Sequence, residues 1–238
     1  MTYKELNDLV MPPSKRQAER TNYWVSLVVR PLSILCTLPF IKSKVTPTAI
    51  TKLSVAFVLA GALLCMLWPT NMIVKVIGWL FFFVWAILDG VDGNLARATN
   101  QCSALGELWD AIGGYSAMVL LYFTSGVVAF FDSNAFVFCE PYLLLIFCGA
   151  TSVFSIFPRL VLHKKEGIEQ GNETVKELRD KKSFSLFKII AMNFLSISGF
   201  LQVVFLVCTL THTLNLFILF YCLVNLLMML VSIRKMVK

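Results

Sequence analysis

From Ala49 to Ile233 the chain is a succession of apolar stretches, and that succession limits its fold more than any other feature. Six of them approach the roughly 20 residues a helix needs to cross the hydrocarbon core of a bilayer. They run from about Ala49–Trp68, Met72–Val91, Ala111–Phe131, Pro141–His163, Leu186–Thr211 and Thr213–Ile233. Lipid offers no partner for a backbone N–H or C=O, so segments of this kind pair internally as helices. The expected fold is all-α, a polytopic membrane bundle of six transmembrane helices. Composition supports this: of 238 residues 58% are hydrophobic and 15% charged, against about 25% charged in a soluble domain.

Residues 1–21 are polar and contain Lys4, Lys15, Arg16 and Arg20. They lack the apolar core and cleavage site of a signal peptide, so they are expected to remain as a cytosolic N-terminal segment. Residues 22–238 are expected to form one membrane-embedded domain. It opens on a mixed stretch, Tyr23 to Ile41, in which Arg30 and Pro31 interrupt Trp24, Leu27, Val28, Val29, Leu32 and Leu35. That stretch is too interrupted to span, and fits an interfacial amphipathic helix with Tyr23 and Trp24 at headgroup level. Thr46-Pro47 then marks a helix start, proline being suited to the first turn.

Six spans put both termini on one side of the membrane. That side carries Lys4 to Lys52, Arg97, Arg159 to Lys188 and Arg234 to Lys238, while the opposite connections hold Lys75 alone. The asymmetry predicts that both termini, and the charged loop Lys164–Ser183 with its Asn172-Glu173-Thr174 sequon, are cytosolic. The net charge of +7 has no basic domain of its own and sits beside apolar spans, which suits an anionic membrane face rather than nucleic acid. Seven scattered cysteines without a C-x-x-C pair argue against a disulfide framework or zinc site and read as packing residues. Gly61, Ala62, Gly149, Ala150, Ser196, Ser198 and Gly199 are expected at helix contacts, and Asn193 and Asn225 in interhelical hydrogen bonds. His212 falls on the outer side with no partner in view.

Chemistry concentrates at the junction of spans two and three, from Leu88 to Gly114. Asp89 and Asp92 are three apart and share a helix face. Gly106, Asp110 and Gly114 repeat every four residues and form a stripe on the next helix. A hairpin brings the three aspartates together at the helix ends, and carboxylates beside a bilayer are costly unless they hold a cation or a partner. A hard divalent ion is the natural counter-charge, magnesium before calcium or manganese, and magnesium commonly completes its shell with substrate phosphate. Gly93 allows close backbone approach, Arg97 offers a planar fork to phosphate oxygens, and Ala96 and Gly106 are small where the helices meet. The plainer alternative is a set of helix-end charges facing water, with Arg97 paired to Asp92.

Asp92-Gly93-x-x-Ala96-Arg97, then eight residues, Gly106, three residues and Asp110, with Asp89 three before Asp92, resembles the signature of the CDP-alcohol phosphatidyltransferases. Thr46, Pro47 and Thr51 at the entry to the first span, and the six-span layout, resemble that family too. The resemblance implies transfer of a phospho-alcohol group from a CDP-linked donor to an acceptor hydroxyl, with release of CMP, in phospholipid biosynthesis. It implies Asp89, Asp92 and Asp110 as metal ligands for two magnesium (or manganese) ions, and Gly93, Ala96, Arg97 and Gly106 against the CDP moiety. CDP-diacylglycerol is the expected donor, with a soluble CDP-alcohol and a lipid acceptor as the other arrangement. A homodimer in the bilayer is also implied, and the lysine and arginine asymmetry places the Leu88–Gly114 stretch, and with it the active site, at the cytosolic face.

The family's fourth aspartate, a metal contact and general base, is Gly114 here. Three readings follow. Glu107, one turn before Asp110, serves as base or ligand; the acceptor's own phosphate takes the proton, with one metal sufficing; or the chain is a catalytically impaired relative that binds CDP-lipid or metal as a scaffold or regulator. Arg159 follows Pro158 near the end of span four and suits an anionic acceptor, or else anchors the span by its charge; Arg30 lies on the interfacial helix. A small transporter is the remaining rival, without paired internal repeats or mid-span broken helices in the sequence.

Overall fold

The computed structural model describes residues 1–12, 16, 19, 21–135, 139–168 and 193–237, the side chains of 162–168 and 235–237 excepted. Its elements are α1 (Tyr3–Val10), a π-helical turn (Val25–Val29) leading directly into α2 (Arg30–Ile41), α3 (Pro47–Leu67), α4 (Met72–Ala98), α5 (Ala104–Phe130), α6 (Pro141–Ile168), α7 (Phe200–Leu210) and α8 (Leu214–Val237). The described residues contain no strand. Five helices are long and apolar enough to cross a membrane: α3, α4, α5, α6 over Pro141–Val161, and α8 over Leu214–Arg234. They correspond to five of the six predicted spans.

Local chemistry sets the helix ends. Thr46 caps α3, its side chain accepting from the Ala49 N–H with Pro47 in the first turn, as the Thr-Pro pair predicts. Asn71 caps α4 by accepting from the N–H groups of Ile73 and Val74. At the other end of α4, Asn100 takes φ of 55° and the Gln101 N–H returns to the Ala96 carbonyl at 2.8 Å. This is the left-handed stop that asparagine tolerates. Ser103 then caps α5 by accepting from the Gly106 N–H at 3.1 Å. Three residues between the caps Thr99 and Ser103 turn the chain back on itself.

α4 and α5 touch each other sparingly; each packs instead along α3. Gly61 and Gly78 let α3 and α4 meet closely: a Cβ on Gly78 would lie 2.2 Å from Cys65 Sγ and 2.8 Å from the Gly61 carbonyl oxygen. The main core gathers Val58, Phe82, Trp85, Leu121, Tyr122, Phe205 and Tyr221 from five helices. Asn225 donates to the Tyr122 hydroxyl at 3.3 Å, the expected interhelical bond. Asn193 bonds differently, its side chain receiving the Tyr23 N–H at 2.8 Å and donating to the Thr21 carbonyl, so it ties down the chain before α2.

Several expectations are corrected. The predicted fifth span, 186–211, is not one helix: residues 186–192 lie outside the described residues, Asn193–Leu195 form a helical turn, and the backbone leaves the helix at Ser196–Gly199 before α7. A turn bond from the Gly199 N–H to the Ser196 carbonyl, 2.9 Å, closes that break, and irregular backbone of this kind survives at membrane depth where it borders a cavity. Gly149 is not at a helix contact, since a Cβ there meets nothing within 4 Å; Gly126 makes the close approach, against Cys148. Trp24 packs between Phe83 and Phe200, ring centroids 6.3 and 6.0 Å away, and is partly buried there. His212 does have a partner: its Nδ1 lies 2.8 Å from Asp132 Oδ2, joining the α5–α6 and α7–α8 connections. α6 extends to Ile168, into the predicted loop Lys164–Ser183, and the rest of that loop lies outside the described residues.

The polar N-terminal segment carries a helix of its own. α1 opens with a capping box between Thr2 and Glu5, and Leu6, Val10 and Met11 bury against Ile34 of α2. α2 itself turns Ser33 and Thr37 inward towards α4 and exposes Leu35 and Cys36, as the π-helical turn before it exposes Leu27, so the outer face is the apolar one.

Candidate active site

The splay between α4 and α5 opens a cavity of roughly 560 Å³, floored by α3 and reached on one side by α2. Asp89, Asp92, Gly93, Ala96 and Arg97 line it from α4, and Gly106, Glu107 and Asp110 from α5. The structure thus brings together every residue of the motif. Spacing explains the convergence: positions three or four apart share a helix face, and the tight connection from Asn100 to Ser103 turns both faces to the same space.

The three carboxylates are close enough to repel one another. Asp92 is buried and its Oδ2 accepts from the Thr51 hydroxyl at 2.5 Å. That same hydroxyl also bonds the Pro47 carbonyl oxygen, at 3.1 Å, so α3 fixes the Asp92 rotamer. Asp110 is exposed on the opposite wall, with the Glu107 carboxylate near it on the rim. The donor set is all hard carboxylate oxygen, which fits a divalent cation of the magnesium type. The carboxylates face a common space rather than one point, and among the described residues no three His, Cys, Asp or Glu side chains form a ready-made cation cage.

Arg97 does not resolve into the simple pair with Asp92. Its Nη2 donates to Asn94 Oδ1 at 3.2 Å, and its Nε is buried without a partner. A Cβ on Gly93 would stand 3.2 Å from Arg97 Nη2, so the glycine gives the guanidinium room to fold back along α4. Asn94 is fully buried and is a junction that spacing did not single out. Its carbonyl also receives Arg30 Nη1 at 3.4 Å, and its amide faces the Ser33 and Thr37 hydroxyls at 3.4 and 3.5 Å.

Behind the aspartates lies a second chamber of about 300 Å³. Asp89, Glu107 and Asp110 border both spaces. Its remaining wall includes Trp85, Gly114, Tyr115, Arg159, Ser196 and Ser198, so Arg159 does come to the site and the predicted small contacts Ser196 and Ser198 line a void instead. A Cβ on Gly114 would meet nothing within 4 Å. No neighbouring side chain therefore fills the place of the missing carboxylate. The Trp85 indole N–H, on a residue 1% exposed, has no hydrogen-bond partner. The signal for that chamber was the break at Ser196–Gly199, invisible until α7 is placed.

Apolar helices long enough to span a bilayer, with acidic and guanidinium groups gathered at one end, define a multi-pass membrane protein with a polar site at a helix junction. The chain belongs to the CDP-alcohol phosphatidyltransferase family, whose model matches residues 44–234. It is similar to cholinephosphotransferase 1 of Danio rerio, 29% identical over 119 residues that make up 48% of this chain. Cholinephosphotransferase 1 of Bos taurus is 30% identical over 118 residues, 45% of this chain. Each match spans 29% of the relative's own length.

Proposed function

We propose that this protein is a membrane-embedded CDP-alcohol phosphotransferase of phospholipid biosynthesis, moving a phospho-alcohol group from a CDP-linked donor to an acceptor hydroxyl. The observation that carries the reading is the convergence of Asp89, Asp92, Asp110 and Arg97 on one cavity beside Gly93 and Gly106. Membership of the family supports it. In the reaction the acceptor oxygen bonds to the phosphorus that carries the alcohol, the P–O bond to CMP breaks, and the acceptor proton leaves to a base.

Asp89, Asp92 and Asp110 would hold one or two magnesium ions (manganese the alternative), which would supply Lewis-acid charge neutralisation at the diphosphate. The chain's own groups do the rest. Thr51 keeps Asp92 in place, Asn94 keeps Arg97 in place, and Gly93, Ala96 and Gly106 leave the walls smooth for the nucleotide. The chamber behind the aspartates receives the acceptor, with Arg159 for an anionic group and Glu107 at the shared rim as base. CDP-diacylglycerol is the donor we expect. The name of the relatives, cholinephosphotransferase, supports a rival arrangement with a small CDP-alcohol and a lipid acceptor.

Both termini and the cavity are assigned to the cytosolic side by the excess of lysine and arginine there, with α2 at the interface and its apolar face to lipid. A homodimer is proposed on family membership. Purified full-length chain with magnesium and a panel of CDP-linked donors and hydroxyl acceptors should release CMP. Release by no donor–acceptor pair would sink the enzymatic reading. The second reading, a binding-only relative, rests on the unfilled space at Gly114 and predicts stabilisation by CDP without turnover.

A further inference from the structure

Arg30 precedes the residues 44–234 matched by the family, yet its side chain lines the large cavity. It sits where the π-helical turn becomes α2, and its guanidinium is spread across three directions. Nε and Nη2 hold the two carboxylate oxygens of Glu19, one of them at 2.8 Å, in a pair only 16% and 17% exposed. Nη1 reaches Asn94 Oδ1, the same oxygen that receives Arg97. Arg30 lines the same cavity as Asp89, Asp92 and Asp110, and its Nη1 lies 3.9 Å from where a Cβ on Gly90, next to Asp89, would stand.

Two guanidiniums on one amide oxygen repel each other, and burial deepens the cost. Glu19 offsets one charge. The second lacks a full set of partners, with Arg97 Nε buried and unpaired. An arrangement of this kind is completed by a ligand bearing more than one negative charge, and guanidinium forks match phosphate oxygens well. We propose that Arg30 is a second phosphate-binding guanidinium of this cavity, acting with Arg97 on the diphosphate of a CDP-linked ligand, and that Glu19 is its positioning residue. The inference rests on the donor reading above. The geometry suits arginine and not lysine: the fork keeps Nε and Nη2 on Glu19 while the Nη1 edge stays turned to the cavity. It also gives the N-terminal segment a role, since Glu19 reaches the ligand site through Arg30.

The test is calorimetric titration of the full chain in detergent, with magnesium, using CDP and cytidine as probes. Arg30→Gln should weaken CDP binding by about tenfold or more, the weight of a charge-assisted hydrogen bond, and leave cytidine binding unchanged. Glu19→Gln, which keeps the cation but frees its position, should produce a smaller loss confined to CDP. Because Arg30→Gln strands a half-buried carboxylate, Glu19→Gln/Arg30→Gln is measured beside it. That pair should melt near the wild type and still lose CDP affinity. Wild-type CDP affinity in the paired variant, or equal losses for CDP and cytidine, overturns the proposal. A wild type that binds both probes equally rejects diphosphate recognition alone; one that binds neither rejects the donor reading with it.

Discussion

The two spaces that share Asp89, Glu107 and Asp110 are furnished in opposite ways. In the larger, Asp92 is tied to Thr51, and Arg97 and Arg30 meet on Asn94, itself set against Ser33 and Thr37. In the smaller, the Trp85 N–H has no partner and the place opposite Gly114 is open. Groups bonded within the protein keep their positions before any ligand arrives, and a site of that kind binds without a further ordering cost. A buried donor left unpaired, the Trp85 N–H in the smaller space and Arg97 Nε in the larger, is a group whose partner has to come from outside. One side of the aspartates is set for a fixed ligand; the other leaves part of its chemistry to whatever enters.

The contrast can be broken most severely at the carboxylates. Asp92→Asn should lower CMP release by roughly a thousandfold, the loss typical of removing transition-state charge stabilisation, with little change in melting temperature; near-normal turnover would remove Asp92 from the chemistry. Asn94→Leu should come next, because it unseats both guanidiniums. CDP affinity is expected to fall by about tenfold to a hundredfold, alongside a lower melting temperature, and an unchanged affinity would show that the arginines are held by other means. Gly114→Asp adds a carboxylate where there is room for one. It should fold normally and leave CMP release unchanged, since Glu107 is the base in the reading above; a rise of about tenfold or more, within the range a positioned base supplies, would show that Glu107 does not take the proton.

Smaller effects sharpen the assignment of the second chamber. Trp85→Phe removes the indole N–H together with part of a fully buried ring, so the melting temperature should fall and the KM for the acceptor should rise by roughly fivefold while that for the donor stays put. A rise in the donor KM would reverse the roles of the two spaces. Gly149→Ala, on α6 and facing open space, should change stability by less than about 0.5 kcal/mol by thermal denaturation.

Much of the larger cavity was legible in the sequence. Asp89, Asp92, Gly93, Ala96, Arg97, Gly106 and Asp110 lie within 22 residues, and helical periodicity alone places each set on a common face. Asn94 sits inside that run and still escaped notice, because its role depends on α2 lying across α4. Arg30, Glu19, and the pair His212–Asp132, 80 residues apart, are contacts between elements, and no local spacing encodes them. The same holds for glycines. Gly126 and Gly149 look alike as small residues in apolar runs, and only the crossing of α5 with α6 decides which one touches a neighbour. The break at Ser196–Gly199 leaves no mark in the sequence, because hydropathy averages over a turn of four residues and carries the apolar signal across it.

α4 has one further consequence, which lies in its length. At about 1.5 Å per residue its 27 residues measure roughly 40 Å, about 10 Å more than a hydrocarbon core. With Met72 at one edge of that core, Asp89 and Asp92 would fall about 25 to 30 Å along the axis, where acyl chains give way to headgroups. On the proposed function, a substrate dissolved in water and another dissolved in lipid would then present their polar ends at the same depth, and neither would have to leave its own phase to meet the other.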